Sequence, residues 1–201
     1  MKKLLIFSII ASLSIISSVS ARTEHNVQSA NFLATKWIIN DNSKDILKYN
    51  LDYNITRREM LKVMMNLSGK TIGTSCSGKF SDMPSSDWGC KYAEAAFSNG
   101  YIAANKTYRP NDNVTQIEAL KMIMQAKWLE KDVNTDWRAG YLSKAQKEDI
   151  VDAGYLDYNL SALRGWIFST SARSYADFNY VAPDVELTPE EEELFKFLLE
   201  L

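Results

Sequence analysis

One short phrase occurs three times in this chain of 201 residues and constrains its fold more than any other feature. Each copy runs through an asparagine, an aliphatic residue and a hydroxyl residue, and each precedes a segment with helical periodicity. Serine and threonine are preferred N-caps, because their side-chain oxygen accepts an amide N–H that the first helical turn leaves unpaired. The sequence therefore predicts three helix starts, with the cap residues Thr56, Thr115 and Ser161.

Two of these helix starts carry a second signal. Glu59 stands three residues after Thr56, and Glu118 stands three residues after Thr115, which is the spacing of a capping box. Repeated helix starts indicate repeated units, and a single helix pair cannot bury its own apolar face. We therefore predict an all-α, pseudo-threefold bundle of three helix-loop-helix repeats within residues 22–175, at about 26–69, 78–130 and 135–175.

The two ends of the chain differ from the repeats. Residues 1–21 combine a basic start, a short apolar run and a small-residue exit, which predicts a secretory signal peptide cleaved after Ala21. Residues 176–187 are interpreted as a linker. Residues 188–201 begin with a cap, a proline and acidic residues and continue with an apolar stripe, which predicts a C-terminal amphipathic helix. This helix would dock on its own domain or on a partner protein.

Composition excludes several classes of function. Positive and negative residues are mixed along the chain, with a formal net charge of −2, so no basic face indicates nucleic acid binding. After the signal peptide, no segment is long and apolar enough to span a bilayer. The even cysteine count in an exported protein favours a Cys76–Cys90 disulfide over two free thiols. With one histidine in the chain, two thiolates lack the further ligands of a metal site, so we expect no metal or other cofactor.

Apolar periodicity predicts helices in each repeat. The first would span residues 26–40, with Trp37 on the same face as Phe32 and Leu33. Trp88 and Trp137 each follow an aspartate at a helix start, and we interpret both as core residues first, because large aromatic side chains dominate core burial.

Several motifs of the second repeat occur together and in order. They are Phe80-Ser81-Asp82-Met83-Pro84, Asp87-Trp88, Asn99-Gly100-Tyr101, Tyr108-Arg109-Pro110-Asn111 and Val114-Thr115-Gln116-Ile117-Glu118. In this order they resemble the S-layer homology domain family from end to end. The phrase Ile55-Thr56-Arg57-Arg58-Glu59 resembles the most characteristic helix start of that family. The third repeat is degenerate, since it keeps Asp136-Trp137 and a serine cap without the arginine or the glutamate.

The resemblance implies a surface protein that binds secondary cell-wall polysaccharide, an anionic glycan, in grooves between repeats. It implies that Arg57 contacts the glycan and that Trp88 lines the groove or packs, with Arg58 or Arg109 as substitute cations. Arg57 can equally be read as a solvated first-turn residue. Gln116 and Ala162 stand at the arginine positions of the other repeats in this alignment. The resemblance therefore implies at most one groove with the charge of the family.

Two other classes of function stay open beside glycan attachment. One is a structural or protein-interaction module that keeps the fold without binding glycan. The other is a small wall-active hydrolase, which the sequence favours least. The single histidine, His25, stands near the predicted mature N-terminus, where chains are usually mobile, so we expect no Ser–His or Cys–His pair and no enzyme.

Overall fold

The computed structural model describes residues 23–181, and His25–Tyr180 form one compact unit. The predicted signal peptide at 1–21 and the predicted C-terminal helix at 188–201 lie outside the described residues, as does the second half of the linker, 182–187. Within the described range the regular structure is helical, and its β pairings are isolated bridges, so the all-α prediction is confirmed. The helices are α1 (23–35), a 3-10 helix (Ile46–Tyr49), α2 (Arg57–Ser68), α3 (Cys90–Ser98), α4 (Gln116–Ala126), α5 (Trp137–Lys147) and α6 (Arg164–Arg173).

Helices α2 and α4 begin with complete capping boxes. The Thr56 hydroxyl accepts the amide N–H of Glu59, and the Glu59 carboxylate accepts the amide N–H of Thr56 at 2.9 Å. Thr115 and Glu118 repeat both contacts at the start of α4. The hydroxyl and the glutamate satisfy amide groups that a helix start otherwise leaves unpaired, and the two spacings read from the sequence therefore mark two real helix starts.

Three short extended segments, one before each of α2, α4 and α6, are joined by a closed ring of backbone hydrogen bonds. The amide of Ile55 donates to Ala162 at 3.1 Å, that of Ala162 to Val114 at 2.9 Å, and that of Val114 back to Ile55 at 3.1 Å. All three side chains are completely buried. The ring makes these three residues structurally equivalent.

A second set of hydrogen bonds joins the same three segments in the opposite donor-to-acceptor direction. The first amide of each of these helices donates to a carbonyl of the segment that precedes the next helix in the ring. The three pairs are Arg57 to Asp112 (2.8 Å), Gln116 to Leu160 (2.9 Å) and Arg164 to Tyr53 (2.9 Å). The starts of α2, α4 and α6 are thus fixed against one another by main-chain bonds, which do not depend on side-chain identity.

The prediction that Ser161 caps the third helix is wrong. Helix α6 begins at Arg164, its N-cap residue is Leu163, and no side chain caps it. Ser161 lies two residues earlier and pairs with Thr115 in an isolated bridge. A hydroxyl is not needed here, because carbonyls of the segment before α2 accept the first amides, those of Arg164 and Gly165. The third repeat is therefore aligned two residues later than the sequence indicated.

The shift changes which residue holds the arginine position of the third repeat. Ala162 fills the buried ring beside Ile55 and Val114, so its assignment to the arginine position is wrong. The residue that follows the N-cap of α6, as Arg57 follows Thr56, is Arg164.

A continuous apolar core lies under α1, α2, α3, α4 and α6, and a smaller cluster joins α4 to α5. The fully buried side chains include Leu33, Ile55, Met60, Leu61, Met64, Phe80, Leu120, Ile123 and Phe168. They come from all three segments that the sequence predicts to be repeats, which agrees with the expectation that no helix pair buries its apolar face alone.

Helix α1 ends earlier than predicted, and Trp37 leaves the core. The amide of Trp37 donates to Ala34 and that of Ile38 donates to Leu33, both at 3.0 Å, in the hydrogen-bond pattern of a Schellman helix end. Trp37 takes the left-handed conformation that this end requires, with φ 61°, and its side chain is 88% exposed. The helical period ends at residue 35, so Trp37 no longer follows the buried face.

The predicted disulfide between Cys76 and Cys90 is confirmed, with their Cα atoms 5.9 Å apart. It attaches the loop after α2 to the first residue of α3. The Glu94 carboxylate supports the same loop by accepting the amide N–H groups of Ser77 and Lys79 at 3.0 Å. The two cysteines and Glu94 form the one cluster of potential metal ligands among the described residues. The disulfide removes the thiolates that a metal would need.

Candidate functional site

A groove of ≈ 260 Å³, here called the Arg57 groove, lies between the start of α2 and helix α4. Its lining includes Arg57, Tyr108, Glu118, Lys121 and Trp137. Arg57 projects from the first turn of α2, Glu118 closes the capping box of α4, and Trp137 opens α5. Because α2 and α4 are tied by the hydrogen-bond ring, the groove is held by the fold itself.

Arg57 is oriented by two hydrogen bonds. Its Nε donates to the Tyr108 carbonyl at 3.1 Å, and its Nη1 lies 3.2 Å from Oε1 of Glu118. The guanidinium also lies over the Tyr108 ring, 4.9 Å from its centroid. The Arg57 side chain is 18% exposed, which contradicts the interpretation of a solvated first-turn residue.

A second groove of ≈ 340 Å³, here called the Arg164 groove, lies between the start of α6 and helix α2. Arg164 Nε donates to the Tyr49 carbonyl at 3.1 Å, and Arg164 Nη1 lies 2.9 Å from Oε1 of Glu59. These two contacts reproduce those of Arg57. The sequence analysis missed Arg164, because Leu163 gives no cap signal from which to set the register.

The two grooves match position by position. In each, the arginine follows an N-cap residue, the glutamate closes the capping box of the next helix, and a lysine follows that glutamate after one turn. The equivalent pairs are Arg57 and Arg164, Tyr108 and Tyr49, Glu118 and Glu59, Lys121 and Lys62, and Trp137 and Trp88. The same five residue types thus line two grooves made by different pairs of repeats.

Each groove is positively charged. Three cationic side chains and one carboxylate line each of them, since Arg109 adds to the Arg57 groove and Lys48 adds to the Arg164 groove. Within residues 23–181, Nη2 of both arginines makes no hydrogen bond to protein. A guanidinium that is held on one edge and open on the other can donate to a carboxylate or phosphate oxygen. Each arginine also stands at a helix N-terminus, which favours an anion.

The Glu59 carboxylate stays ionised within this arrangement. Burial alone would raise the pKa of Glu59, but hydrogen bonds from the amide and hydroxyl of Thr56 and the charge of Arg164 outweigh it and lower that pKa. Glu59 is therefore a cap and an orienting partner for Arg164, and its hydrogen bonds suit neither a general acid nor a general base.

Trp88 and Trp137 lie at the mouths of the grooves. Their side chains are 47% and 40% exposed, so the interpretation of both as core residues is wrong. Each indole lies near an aromatic ring of its own helix start, Tyr92 for Trp88 and Tyr141 for Trp137, in an edge-to-face arrangement. The indole faces are thereby held in place while remaining accessible from solvent.

Arg58 lies behind Trp88, and neither groove includes it in its lining. Its guanidinium is 5.3 Å from the Trp88 ring, and its Nη1 lies 2.8 Å from Oδ2 of Asp87. Gly89 makes room for this contact, since a Cβ there would come within 2.4 Å of the Arg58 side chain. Arg58 is therefore a positioning residue for Trp88 and does not substitute for Arg57.

Arg109 lines the Arg57 groove from a loop. Its backbone is left-handed, with φ 61°, and the Asp82 carboxylate holds that loop by accepting the amides of Tyr108 at 2.8 Å and Arg109 at 2.7 Å. The Arg109 side chain is 62% exposed, and its Nη1 lies 3.7 Å from Asp112. Arg109 thus adds an accessible positive charge at the edge of the groove.

The third interface, between the start of α4 and helix α6, lacks the arginine and the glutamate of the two charged grooves. Gln116 stands where Arg57 and Arg164 stand, and Trp166 stands where the glutamates stand. The cavity beside Gln116 is lined by polar and aliphatic residues and by Asp157, with no cation among its lining residues. Within residues 23–181, the Arg57 and Arg164 grooves carry the features of an anion site, and this interface does not.

His25 is better ordered than the sequence analysis expected, and it does pair with a serine. Its Nδ1 lies 3.0 Å from the Ser169 hydroxyl, and its ring meets Phe178 and Tyr180 edge-on. Burial, and then the charge of Arg173, lower the pKa of His25. Neither His25 nor Ser169 lines the Arg57 or the Arg164 groove, so the pair serves the packing of α1 against α6.

Comparison with known proteins finds one matching family and several partial relatives. The sequence model of the S-layer homology domain matches residues 79–120, from the strong motifs of the second repeat to the first turn and a half of α4. A Middle cell wall protein of Brevibacillus brevis is 29% identical over 126 residues, which cover 60% of this chain and 12% of that protein. A Cell surface protein of Thermoanaerobacter kivui is 28% identical over 124 residues, which cover 59% of this chain and 16% of that protein.

An Amylopullulanase of Thermoanaerobacterium thermosulfurigenes is 29% identical over 124 residues, which cover 52% of this chain and 6% of that enzyme. The chain thus spans less than a fifth of the length of each relative. Among the described residues, no helix has the length and apolar composition to cross a membrane. The matched domain, together with relatives named for the cell wall and the cell surface, indicates a secreted protein of the cell envelope that carries a segment similar to the S-layer homology domain.

Proposed function

We propose that this chain is a non-catalytic envelope protein that attaches to anionic cell-wall polysaccharide, and that all three repeats derive from the S-layer homology domain. The observation that carries the proposal is the repetition of one set of side chains in the Arg57 and Arg164 grooves. Random surface variation does not place the same arginine, glutamate, tyrosine, lysine and tryptophan in two grooves that share a backbone geometry.

Each part of the set has a role in holding an acidic sugar. The open edge of the guanidinium donates to the carboxylate of the sugar, and the lysine adds a second positive charge. The glutamate fixes the arginine and accepts from a sugar hydroxyl. The indole at the mouth packs on the apolar face of the pyranose ring, as aromatic side chains do with flat ligands.

The sequence predicts at most one charged groove, whereas the register of α6 supports two. Arg57 and Arg164 hold equivalent places in them. Two grooves on one compact unit allow a single polymer, or two neighbouring polymers, to be held at two points. The second contact then forms at high effective concentration, so attachment can be strong even if each site is weak.

Retention on cell-wall polysaccharide tests the proposal directly. The mature chain, residues 22–201, is incubated with purified wall polysaccharide, and the bound fraction is compared for Arg57→Ala, Arg164→Ala and the double variant. We expect each single variant to weaken binding and the double variant to abolish it. Gln116→Ala is the matched control, because Gln116 holds the equivalent place at the uncharged interface, and it should bind like the wild type.

The alternatives predict other results in the same experiment. A structural or protein-interaction module would show no retention of the wild-type chain, whereas a hydrolase would release soluble sugar from the polysaccharide. Retention that survives in the double variant would contradict the assignment of both grooves.

A further inference from the structure

A further groove, here called the Trp37 groove, adjoins the Arg164 groove at the end of helix α1. It has a volume of ≈ 580 Å³, and its lining includes Asn31, Thr35, Trp37, Asp41 and Asn66. The two grooves share three lining residues, Ile39, Asn40 and Lys62. The Lys62 ammonium donates to Asn40 Oδ1 at 3.2 Å, so this hydrogen bond forms the rim between them.

The indole of Trp37 lines the Trp37 groove and is largely exposed to solvent. Its side chain is 88% exposed and its backbone is held at φ 61° by the Schellman end of α1. A left-handed residue with a side chain costs about 1 kcal/mol relative to glycine, which is the usual residue at this place. Gly100 takes the equivalent place after α3, with φ 73°. The chain therefore keeps an exposed tryptophan where glycine would be more stable.

Each of the three asparagine side chains in this groove forms a hydrogen bond to the protein through one of its two polar groups. Within residues 23–181, the other polar group has no protein partner. Asn31 accepts the Tyr49 hydroxyl through Oδ1 at 2.9 Å, which leaves its NH₂ group. Asn66 donates through Nδ2 to the Ile38 carbonyl at 2.8 Å, which leaves its carbonyl oxygen. Asn40 accepts Lys62 and keeps its NH₂ group. The groove thus offers both donors and acceptors next to an apolar ring face.

This combination fits a sugar better than an anion. A pyranose ring has an apolar face of C–H groups and hydroxyls that both donate and accept, whereas an anion needs donors alone. The lining carries one carboxylate, Asp41, and one ammonium group, Lys62, so its charges balance and the groove offers no net attraction for an acidic group. The ligand class is therefore a neutral sugar unit.

We propose that Trp37 and its neighbouring amides form a second subsite, which binds a neutral pyranose unit next to the acidic unit held in the Arg164 groove. This inference rests on the proposed attachment to wall glycan. The shared rim of Lys62 and Asn40 allows one chain to continue from one groove into the other. The Arg57 groove lacks such an extension, because Gly100 offers no side chain at the equivalent place. The Arg164 groove would therefore contact a longer stretch of glycan than the Arg57 groove.

Trp37→Gly is a discriminating variant, since it removes the indole and relieves the left-handed strain at the same time. We expect it to unfold no more easily than the wild type and to bind wall polysaccharide about tenfold more weakly. Trp128→Gly is the matched control. Trp128 is also left-handed, with φ 59°, and 67% exposed, but it lines none of these three grooves. The control should bind like the wild type.

A neutral probe separates this subsite from the charged groove. Wall polysaccharide fragments, freed of their acidic substituents by mild acid, are titrated into ¹⁵N-labelled protein while the indole N–H signals are followed. The Trp37 signal, assigned by its absence in Trp37→Gly, should shift, and the Trp128 signal should not.

The results distinguish failure of the second subsite from failure of the proposed attachment to wall polysaccharide. Unchanged binding by Trp37→Gly together with loss of binding in Arg164→Ala overturns the second subsite and leaves the attachment function standing. If the intact polysaccharide is not retained at all, the attachment proposal fails. The neutral titration then decides alone, since a shift of the Trp37 signal supports a sugar site there and its absence overturns it.

Discussion

The Glu59 carboxylate closes the capping box of α2 and also lies 2.9 Å from the Arg164 guanidinium in the first turn of α6. Glu118 has the same double role, in the box of α4 and 3.2 Å from Arg57. A single glutamate therefore starts one helix and orients the cation of another. The charged grooves are consequences of how the helix starts meet, and substitutions at the caps should affect stability and binding together.

The caps themselves are open to a direct test by substitution. Thr115→Ala removes the hydroxyl that accepts the Glu118 amide and should lower the free energy of unfolding by about 1 kcal/mol. Ser161→Ala should lower it by less, about 0.5 kcal/mol at most, because Ser161 caps no helix. Urea unfolding followed by circular dichroism measures both values. Equal losses in the two variants would contradict the assigned start of α6.

The Cys76–Cys90 disulfide should contribute about 3 kcal/mol to the free energy of unfolding, since it shortens the loop available to the unfolded chain. Replacing both cysteines with serine should lower the urea midpoint accordingly. Reducing the wild-type protein with dithiothreitol should give the same shift, and adding dithiothreitol to the serine variant should give none. An unchanged midpoint in the double-serine variant would mean that the loop is held by Glu94 alone.

Stability should depend on pH through Glu59. The folded protein lowers the pKa of Glu59, so the folded state binds the proton more weakly than the unfolded state does. The stabilisation is therefore fully present above the unfolded pKa, about 4.3, and is lost as the pH falls through the folded pKa. Glu59→Gln should be less stable than the wild type at pH 7, and the difference should shrink below about pH 4.

The pH prediction is checked by urea unfolding of both proteins at a series of pH values. Glu130→Gln removes the same charge at an exposed position and controls for the change in net charge. A difference between the wild type and Glu59→Gln that stays constant down to pH 2 would show that Glu59 contributes through packing alone.

Gly89→Ala should disturb the Arg164 groove although Gly89 does not line it. The added Cβ would lie 2.4 Å from the Arg58 side chain, which must move away from the Trp88 ring at the mouth of that groove. We expect a loss of about 1–3 kcal/mol in stability and weaker binding of wall polysaccharide. Combining Gly89→Ala with Arg164→Ala should weaken binding little further than Arg164→Ala alone. Combination with Arg57→Ala should weaken it strongly.

The sequence alone could predict the helix starts that carry side-chain signals. Thr56 and Thr115 each have a glutamate three residues later, and this pair of polar side chains can be recognised without coordinates. The disulfide followed in the same way from the cysteine count. Each capping box is complete within four residues of the chain, and two cysteines leave one possible pair.

The register of the third repeat could not be predicted in this way. The start of α6 is satisfied by carbonyls of the segment before α2, so Leu163 needs no hydroxyl, and the nearby Ser161 gave a false signal. Arg164 was missed with it, and so was the second charged groove. Trp37 was misplaced for a related reason, since nothing local to a tryptophan indicates that it will take the left-handed position at a helix end.

The closed ring of backbone hydrogen bonds at Ile55, Val114 and Ala162 limits when the domain can fold during synthesis. The amide of Ile55 donates to the carbonyl of Ala162 in the third segment, so the ring cannot close until that segment has been synthesised. Loss of the third segment, by a premature stop or a protease, would therefore open the ring at the centre of the compact unit.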